Sequence, residues 1–410
     1  MNASTITNAN KYKRTKYACY TTNIAMSVVA CLSPLLFLTF REQYGISYTL
    51  CGLLVAINFC SQLTIDLIFS FFSKYFNPKT TIRLTPLLTV IGFLIYALVP
   101  LFFPQIAYLG LVLGTIVFSV SSGLNEVLNS PIFAAIPAEN PEREMSKLHS
   151  SYAWGVVGVV LLSALYLFFV GDTYWQFMIL LWCAVPLAAF LLFAGANIPD
   201  VESEQKVSEE QSTASTPLQE GKAKKSKPAV GFFLFILCIF LGGAAENTMT
   251  QWISTYIESA LGIPKLWGDV FGMALFAVML GLGRTLYAKF GKDISSVLLL
   301  GFIGSIACYL VAGLSPNGIV GLIACVVSGI CVSMLWPGTL IMMAEFFPKA
   351  GVVAYALLAA GGDLGGSVAP QLMGVLADMF GLNIGMIVSS LFPIMGAVLL
   401  LFLRKKKSAK

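Results

Sequence analysis

Charge is what this sequence has least of. Asp, Glu, Lys and Arg together make up 11% of the chain and hydrophobic residues 57%, whereas a soluble domain carries about 25% charged residues. That excludes an ordinary soluble globule. Histidine occurs once, at His149, so no histidine-based metal or catalytic cluster can form. The nine cysteines are scattered through apolar runs, without the short spacing of metal-ligand pairs, and read as small buried side chains. The glycines at 361, 362, 365 and 366 follow no strand and lack the spacing of a phosphate-binding loop, and no nucleophile elbow is present. No catalytic residue, metal or cofactor is therefore expected, and the chain does not read as an enzyme.

What the chain has is long apolar runs, as helices crossing a bilayer core of ~30 Å require. The first half contains six, at Tyr17–Phe40, Tyr48–Phe72, Arg83–Phe103, Ile106–Ile136, Ser150–Val170 and Tyr174–Ala196. The second half contains six more, at Val230–Tyr256, Leu266–Ala288, Ser295–Leu314, Gly318–Ala344, Val352–Ala377 and Asn383–Leu403. The first run is about 24 residues, longer than the ~7–15 of a signal peptide, and reads as a retained span. With the N-terminus placed inside, 23 of the 25 Lys and Arg residues fall in cytoplasmic segments, leaving Arg41 and Lys265 outside. This is the positive-inside rule acting on nearly every loop. It predicts that both termini face the cytoplasm, and it accounts for the net charge of +5 without a nucleic-acid partner.

One polar stretch, 197–228, is rich in Ser, Glu, Gln and Lys and reads as a mostly disordered cytoplasmic linker. It divides the chain into bundles at 1–196 and 229–410. The halves echo each other. Tyr44-Gly45-Ile46-Ser47 precedes span two as Leu261-Gly262-Ile263-Pro264 precedes span eight. Ser122-Gly123 with Pro131 returns, 206 residues on, as Ser328-Gly329 with Pro337. Repeats of this size build alternating-access transporters around a central site. The expected fold is thus an all-α membrane protein of twelve transmembrane helices in two pseudo-symmetric six-helix bundles.

Few carboxylates fall inside the spans: Glu126, Glu246 and Asp363, with Asp66 near an end. An ionised side chain at the bilayer centre costs about 2.5–3.5 kcal/mol on insertion scales, so each needs a partner, water or a proton. No Lys or Arg is expected at their depth, which makes Glu126, Glu246 and Asp363 the proton-coupling candidates. Glu126 leads, because Asn125 and Asn129 share a helix face beside it. Asn58, Gln62 and Asp66 recur at four-residue spacing as a polar stripe on span two, lining a cavity down to a gate at Asp66. Asn247 and Gln251 flank Glu246 on span seven. Trp154, Trp252 and Trp336 lie inside spans rather than in interfacial belts. There an indole either fills the core or stacks on a sugar ring beside amide groups. His149 falls where span five begins and is a surface or gate residue.

Two six-helix halves joined by a linker resemble the major facilitator superfamily over essentially the whole chain. The second half holds a version of its loop signature, Gly281-Leu282-Gly283-Arg284 followed by Lys289-Phe290-Gly291-Lys292. The matching first-half loop runs from Asp66 through Lys74 to Pro78-Lys79. The resemblance implies that Asp66 and Arg284 belong to cytoplasmic charge clusters that gate the outward-facing state. Within the superfamily, three stretches are similar to the fucose–proton and glucose/galactose symporter branch: Gly123 to Pro131, Leu148 to Gly155 (with Tyr152 and Trp154), and Glu246 with Trp252 and Tyr256. In this chain Ser130 separates Asn129 from Pro131, and span one carries no carboxylate.

The implied function is proton-coupled movement of a small polar solute such as a monosaccharide, with sodium as the alternative ion and the lipid bilayer as the medium of a monomer. Efflux of drugs or metabolites by antiport is the second transport reading. It is disfavoured because span five reads Gly155-Val-Val-Gly158-Val-Val without the proline of drug antiporters. A membrane sensor would need an output domain, which the sequence lacks. Deletion within Ser203–Gln219 is expected to leave transport near normal in vesicle uptake assays. A dead but fully inserted deletion would show that the linker does more than connect.

Overall fold

A computed structural model describes residues 11–72, 75–139, 141–199, 228–291, 293–347 and 352–408. Of the expected linker only 197–199 and 228 are among them; the rest, like Lys74, Lys292 and Lys349, lies outside the described residues. The described residues contain helices and no strand.

Twelve helical rods follow one another. They are α1 (Lys13–Tyr44), α2 (Tyr48–Phe72), α3 (Pro78–Phe102), α4 (Ala107–Ala134), α5 (Pro141–Val170) and α6 (Trp175–Ala194). The second set is α7 (Pro228–Ser259), α8 (Lys265–Phe290), α9 (Ile294–Leu314), α10 (Gly318–Phe346), α11 (Val352–Phe380) and α12 (Leu382–Ser389 continued by Leu391–Ser408). Among the described residues, eleven helices are long and apolar enough to cross a membrane. The remaining rod, α11, has the length, 29 residues or about 43 Å, but its glycines, Asp363, Ser367 and Gln371 dilute its hydropathy. It packs between α7 and α2. α1, α3, α5 and α12 overrun their apolar stretches by a turn or more, as at α5, which begins nine residues before Ser150. Backbone hydrogen bonding, rather than contact with lipid, decides where a helix starts.

Local chemistry explains starts, stops and breaks. Asn77 caps α3 by accepting from the Lys79 and Thr80 amides, with Pro78 at the first helical position. Asp293 caps α9 through the Ser295 amide. Asn77 and Asp293 occupy equivalent places in the two halves. Gly45 and Gly262, the echoed glycines, both take left-handed φ, 65° and 68°, and end the preceding rod as glycine alone does without strain. Three rods are interrupted one turn ahead of a proline: α6 at Cys183 before Pro186, α10 at Ser333 before Pro337, and α12 at Ser390 before Pro393. The proline ring lacks the amide hydrogen and crowds the carbonyl four residues back.

The second echo is a packing device. Built onto Gly123, a β-carbon would sit 2.9 Å from the Ile65 β-carbon; on Gly329 it would sit 2.5 Å from the Phe276 carbonyl oxygen. The small residue lets α4 close on α2 and α10 close on α8 in the same way.

The chain ends and the α2–α3, α4–α5, α6–α7, α8–α9 and α10–α11 connections share one end of the rods, here the termini end; the other is the far end. At the termini end, Arg14 donates to the Leu191 and Leu192 carbonyls (2.6 and 2.9 Å) and Arg83 to that of Ala196 (3.0 Å). Arg14 satisfies orphan carbonyls of the last turn of α6, Arg83 binds the carbonyl just beyond it, and both complement its dipole. Glu144 pairs with Lys147 (2.7 Å) and with Lys16 across to α1. Hydrogen bonds from Lys147 and then Lys16 hold its carboxyl down to about 2, below the usual 4.3 of Glu. This tie therefore acts in full above the ordinary carboxylate range and is lost as pH falls toward 2.

Gly329→Leu is expected to cost about 1–3 kcal/mol, since the obstruction is backbone rather than a flexible side chain. A lowered melting temperature checks it, with Gly158→Leu as the control, because a β-carbon at Gly158 meets nothing within 4 Å.

Candidate functional site

The site lies between the first six rods and the last six, and its far end is closed. Asp378, near the end of α11, accepts from the Thr49 amide (2.6 Å), the Tyr48 amide (3.0 Å) and the Arg41 guanidinium (3.3 Å). A carboxylate of one half thus caps the first turn of α2 in the other, where unpaired amides and the helix dipole favour negative charge. Beneath it Trp252 is fully buried, with its ring 5.2 Å from Phe37 and 5.8 Å from Tyr48, and its indole N–H bonded to the Pro370 carbonyl (3.0 Å). The Tyr48 and Ser259 hydroxyls meet at 3.2 Å. Ser367 reaches the Ala56 carbonyl (3.3 Å) and the Cys60 thiol (3.2 Å). Among the described residues, the hydrogen bonds between the two sets of rods lie at this level or farther from the termini.

Toward the termini the halves part. On α4, Ser122 meets Met26 of α1 and Asn129 meets Asn23 of α1, while Gly123 meets α2. At 100° per residue Glu126 projects between those two faces, and it is exposed although it lies mid-helix. Asp66 of α2, Glu126 and Asp363 of α11 are within electrostatic reach of one another. Tyr152 of α5 is within reach of Glu126, Glu246 and Arg284. Acids from both halves therefore face one space that opens at the termini end.

Most of the expected polar residues gather near this space, with altered partners. Asn58 accepts from Gln62 (2.9 Å) and from Ser119 (2.6 Å), which joins the α2 stripe to α4. Asn125 and Asn129 are buried and donate to Asn23 (3.4 and 2.8 Å), leaving both their carbonyl oxygens without a partner. Asn247 bonds back to the Gly243 carbonyl (3.1 Å), and Gln251 is buried on the same helix. The Trp336 ring lies over Gly362, the residue before Asp363. His149 is exposed at the termini end of α5.

Four placements differ from expectation. Arg284 does reach the depth of an intramembrane acid: it pairs with Glu246 at 3.1 Å and donates to the Ser333 carbonyl at 3.0 Å. A long side chain at a helix end can extend inward, which sequence depth does not register. Asp66 does not join it; its Oδ1 is buried without a hydrogen-bond partner. Trp252 is the far-end plug rather than a cavity wall. Trp154 is 73% exposed and shares a helical stripe with exposed Leu162, Leu165 and Phe169, the apolar outer side of α5.

Several further residues carry little signal in sequence. Asn23 is a lone amide in the apolar first span. Tyr152 was noted for resemblance alone. Asp378 and Arg41 lie at helix ends, where a charge carries no sign of its partner in sequence. Asp269 is buried at the start of α8 in a π-helical turn, held by Ser254 (2.5 Å) and near Lys265 (3.7 Å); such turns recur at functional positions.

The architecture, all helical with two six-rod sets meeting over a charged interior, is that of a multi-pass membrane transporter. The profile of the Major Facilitator Superfamily matches residues 18–325 and 289–410, and the chain belongs to that superfamily. Solved structures agree in fold. A D-xylose-proton symporter has a TM-score of 0.72 at 14% identity, covering 95% of this chain and 96% of that one. The inward-open xylose transporter XylE from E. coli has a TM-score of 0.73 at 15% identity, covering 95% of each chain. The nucleoside transporter NupG has a TM-score of 0.69 at 14% identity, covering 96% and 98%. No curated protein sequence matches the chain.

Replacing Asp378 with Ala leaves the α2 amides and Arg41 uncapped. Loss of a cap costs about 0.5–2 kcal/mol, so the balance should move roughly 2- to 30-fold toward states open at the far end. Spin labels at Gln105 and Pro316 are expected to report a longer distance population in the variant.

Proposed function

We propose that this protein is a proton-coupled secondary transporter that moves a small polar solute by alternating access. The observation that carries the reading is the pairing of a sealed far end with carboxylates of both halves around a space open at the other end. Asp66 and Glu126 come from the first half, Asp363 from the second. Rigid rocking of residues 1–196 against 229–410 would carry that space from one side to the other, with 197–228 as the connection.

The cell membrane is the assigned location, with both termini cytoplasmic; the basic-residue bias supports this orientation and makes the conformation inward-open. The chain works as a monomer, because each half supplies its share of the site. Like charges sharing a cavity repel, and loss of water as it closes makes ionised carboxylates costlier still. Proton binding relieves both effects, so protonation state and conformation become linked. Protons are preferred over sodium on this ground. Glu126, exposed and without a protein partner, is the coupling group. Glu246, paired with Arg284, is assigned to the gate instead.

The fold likeness to a xylose–proton symporter and a nucleoside transporter supports a polar solute. A monosaccharide held by a tryptophan pair is less favoured, since Trp252 and Trp154 point elsewhere and Trp336 alone lies beside the acids. Proton-driven efflux by antiport uses the same carboxylates in the opposite sense and is the second reading.

Glu126→Gln is expected to abolish gradient-driven accumulation in proteoliposomes while solute counterflow persists. Uphill transport retained in this variant would remove Glu126 from the coupling role.

A further inference from the structure

Among the described residues, the acids around the central space outnumber the bases, and Arg284 is engaged. Arg284 is held by Glu246 and by the Ser333 carbonyl. Asp66, Glu126 and Asp363 have no hydrogen-bond donor among the described residues, and no basic side chain pairs with any of them. Asp363 is the telling member: it is 8% exposed and unpartnered. It lies one helical turn toward the termini from Ser367, whose hydroxyl touches Ala56 and Cys60 of α2. Residues four apart share a helix face, so Asp363 looks across at α2 and α4, where Asp66 and Glu126 are. An unpaired acid buried on one half and aimed at two acids of the other is an arrangement that folding alone would disfavour.

Aromatic surface lies beside these charges. Trp336 packs on Gly362, the residue before Asp363, and Tyr152, 40% exposed, is within electrostatic reach of Glu126 as well as of Arg284 and Glu246. Carboxylates with adjoining aromatic faces are the complement of an ammonium or guanidinium group. With a neutral solute, protons alone would have to relieve the repulsion among the three acids when the cavity loses water. A positive group offers several N–H donors, or a diffuse charge, to just these oxygens.

We propose that the solute is a small organic cation, its charged group held between Asp363 of the second half and Glu126 and Asp66 of the first. This rests on the transport reading and names its substrate class. In it, the carboxylates exchange protons for the cation.

The test is thermal stabilisation of the full-length purified protein. The probes are methylammonium, tetramethylammonium, choline and guanidinium, set against 3,3-dimethylbutan-1-ol, the uncharged isostere of choline, and against xylose and uridine. The expected result is saturable stabilisation by at least one cation and none by the isostere. Asp363→Asn, and separately Glu126→Gln at the exposed position where folding is not at stake, should each weaken the cation at least tenfold. Silence of the whole cation series, equal stabilisation by the isostere, or cation binding indifferent to both substitutions would each overturn the proposal. Reconstituted vesicles separate the two ideas. Cation binding without solute movement would sink the transport reading and leave the cation site standing. Proton-driven uptake of xylose or uridine with every cation silent would do the reverse.

Discussion

An ionised side chain cannot be left facing hydrocarbon, and much of this structure can be understood as the disposal of charges under that constraint. Each solution differs. Arg14 and Arg83 are spent on the carbonyl end of α6. Asp378 is spent on the amide end of α2. Glu144 sits between two lysines at the termini end. Asp269 is buried against a serine with Lys265 near, and Glu246 takes Arg284. Among the described residues within the spans, three carboxylates then remain without hydrogen-bond or ion-pair partners, and all three border the same space. That remainder singles out a site more sharply than the presence of acids does, since an intramembrane acid with a fixed partner is satisfied in one conformation and has no need of a proton or solute.

The closure of the far end depends on directional contacts made across the two halves. The Asp378 cap needs α2 to begin where it does, and it begins there because Gly45 stops α1 in a left-handed turn three residues earlier. The Trp252 plug needs Phe37 and Tyr48 from the opposite half. Such contacts are bistable: a helix cap or an indole hydrogen bond is either made or lost. A two-state closure is what alternating access demands, because a gradual loosening would leak. At the termini end, where the halves part, Glu126 stands exposed, so its ionised state is tolerated there only while the cavity stays wet.

The pseudo-symmetry gives each half its own internal rigidity. Gly123 of α4 against α2 and Gly329 of α10 against α8 bring equivalent helix pairs into close packing, and Asn77 and Asp293 start equivalent helices. The two halves differ in chemistry rather than in scaffold. The first contributes an amide cluster of Asn23, Asn125 and Asn129 together with two free acids; the second contributes one free acid, an ion pair and Trp336. A solute bound between them would meet unlike surfaces, as selectivity requires.

Spans, helix ends and repeats are legible in the sequence because they rest on local rules. Hydropathy over about twenty residues, glycine or proline at a helix end, and Asx before a helix start need no knowledge of the partner. The short list of intramembrane acids was legible too, since charge in an apolar run is conspicuous wherever it later points. Only the tertiary structure could decide which acids are paired. Arg284 reaches Glu246 across a separation of 38 residues, and Asp378 reaches Thr49 across 329. The same holds for the tryptophans: all three look alike in sequence, yet Trp252 is a plug, Trp154 is on the outer face and Trp336 lies beside Asp363. The sequence by itself determined that charges would be scarce, where the helices run and which acids lie within them. The packing of one half on the other decided which of those acids are free, because a pairing energy belongs to two residues and depends on a distance that neither one encodes alone.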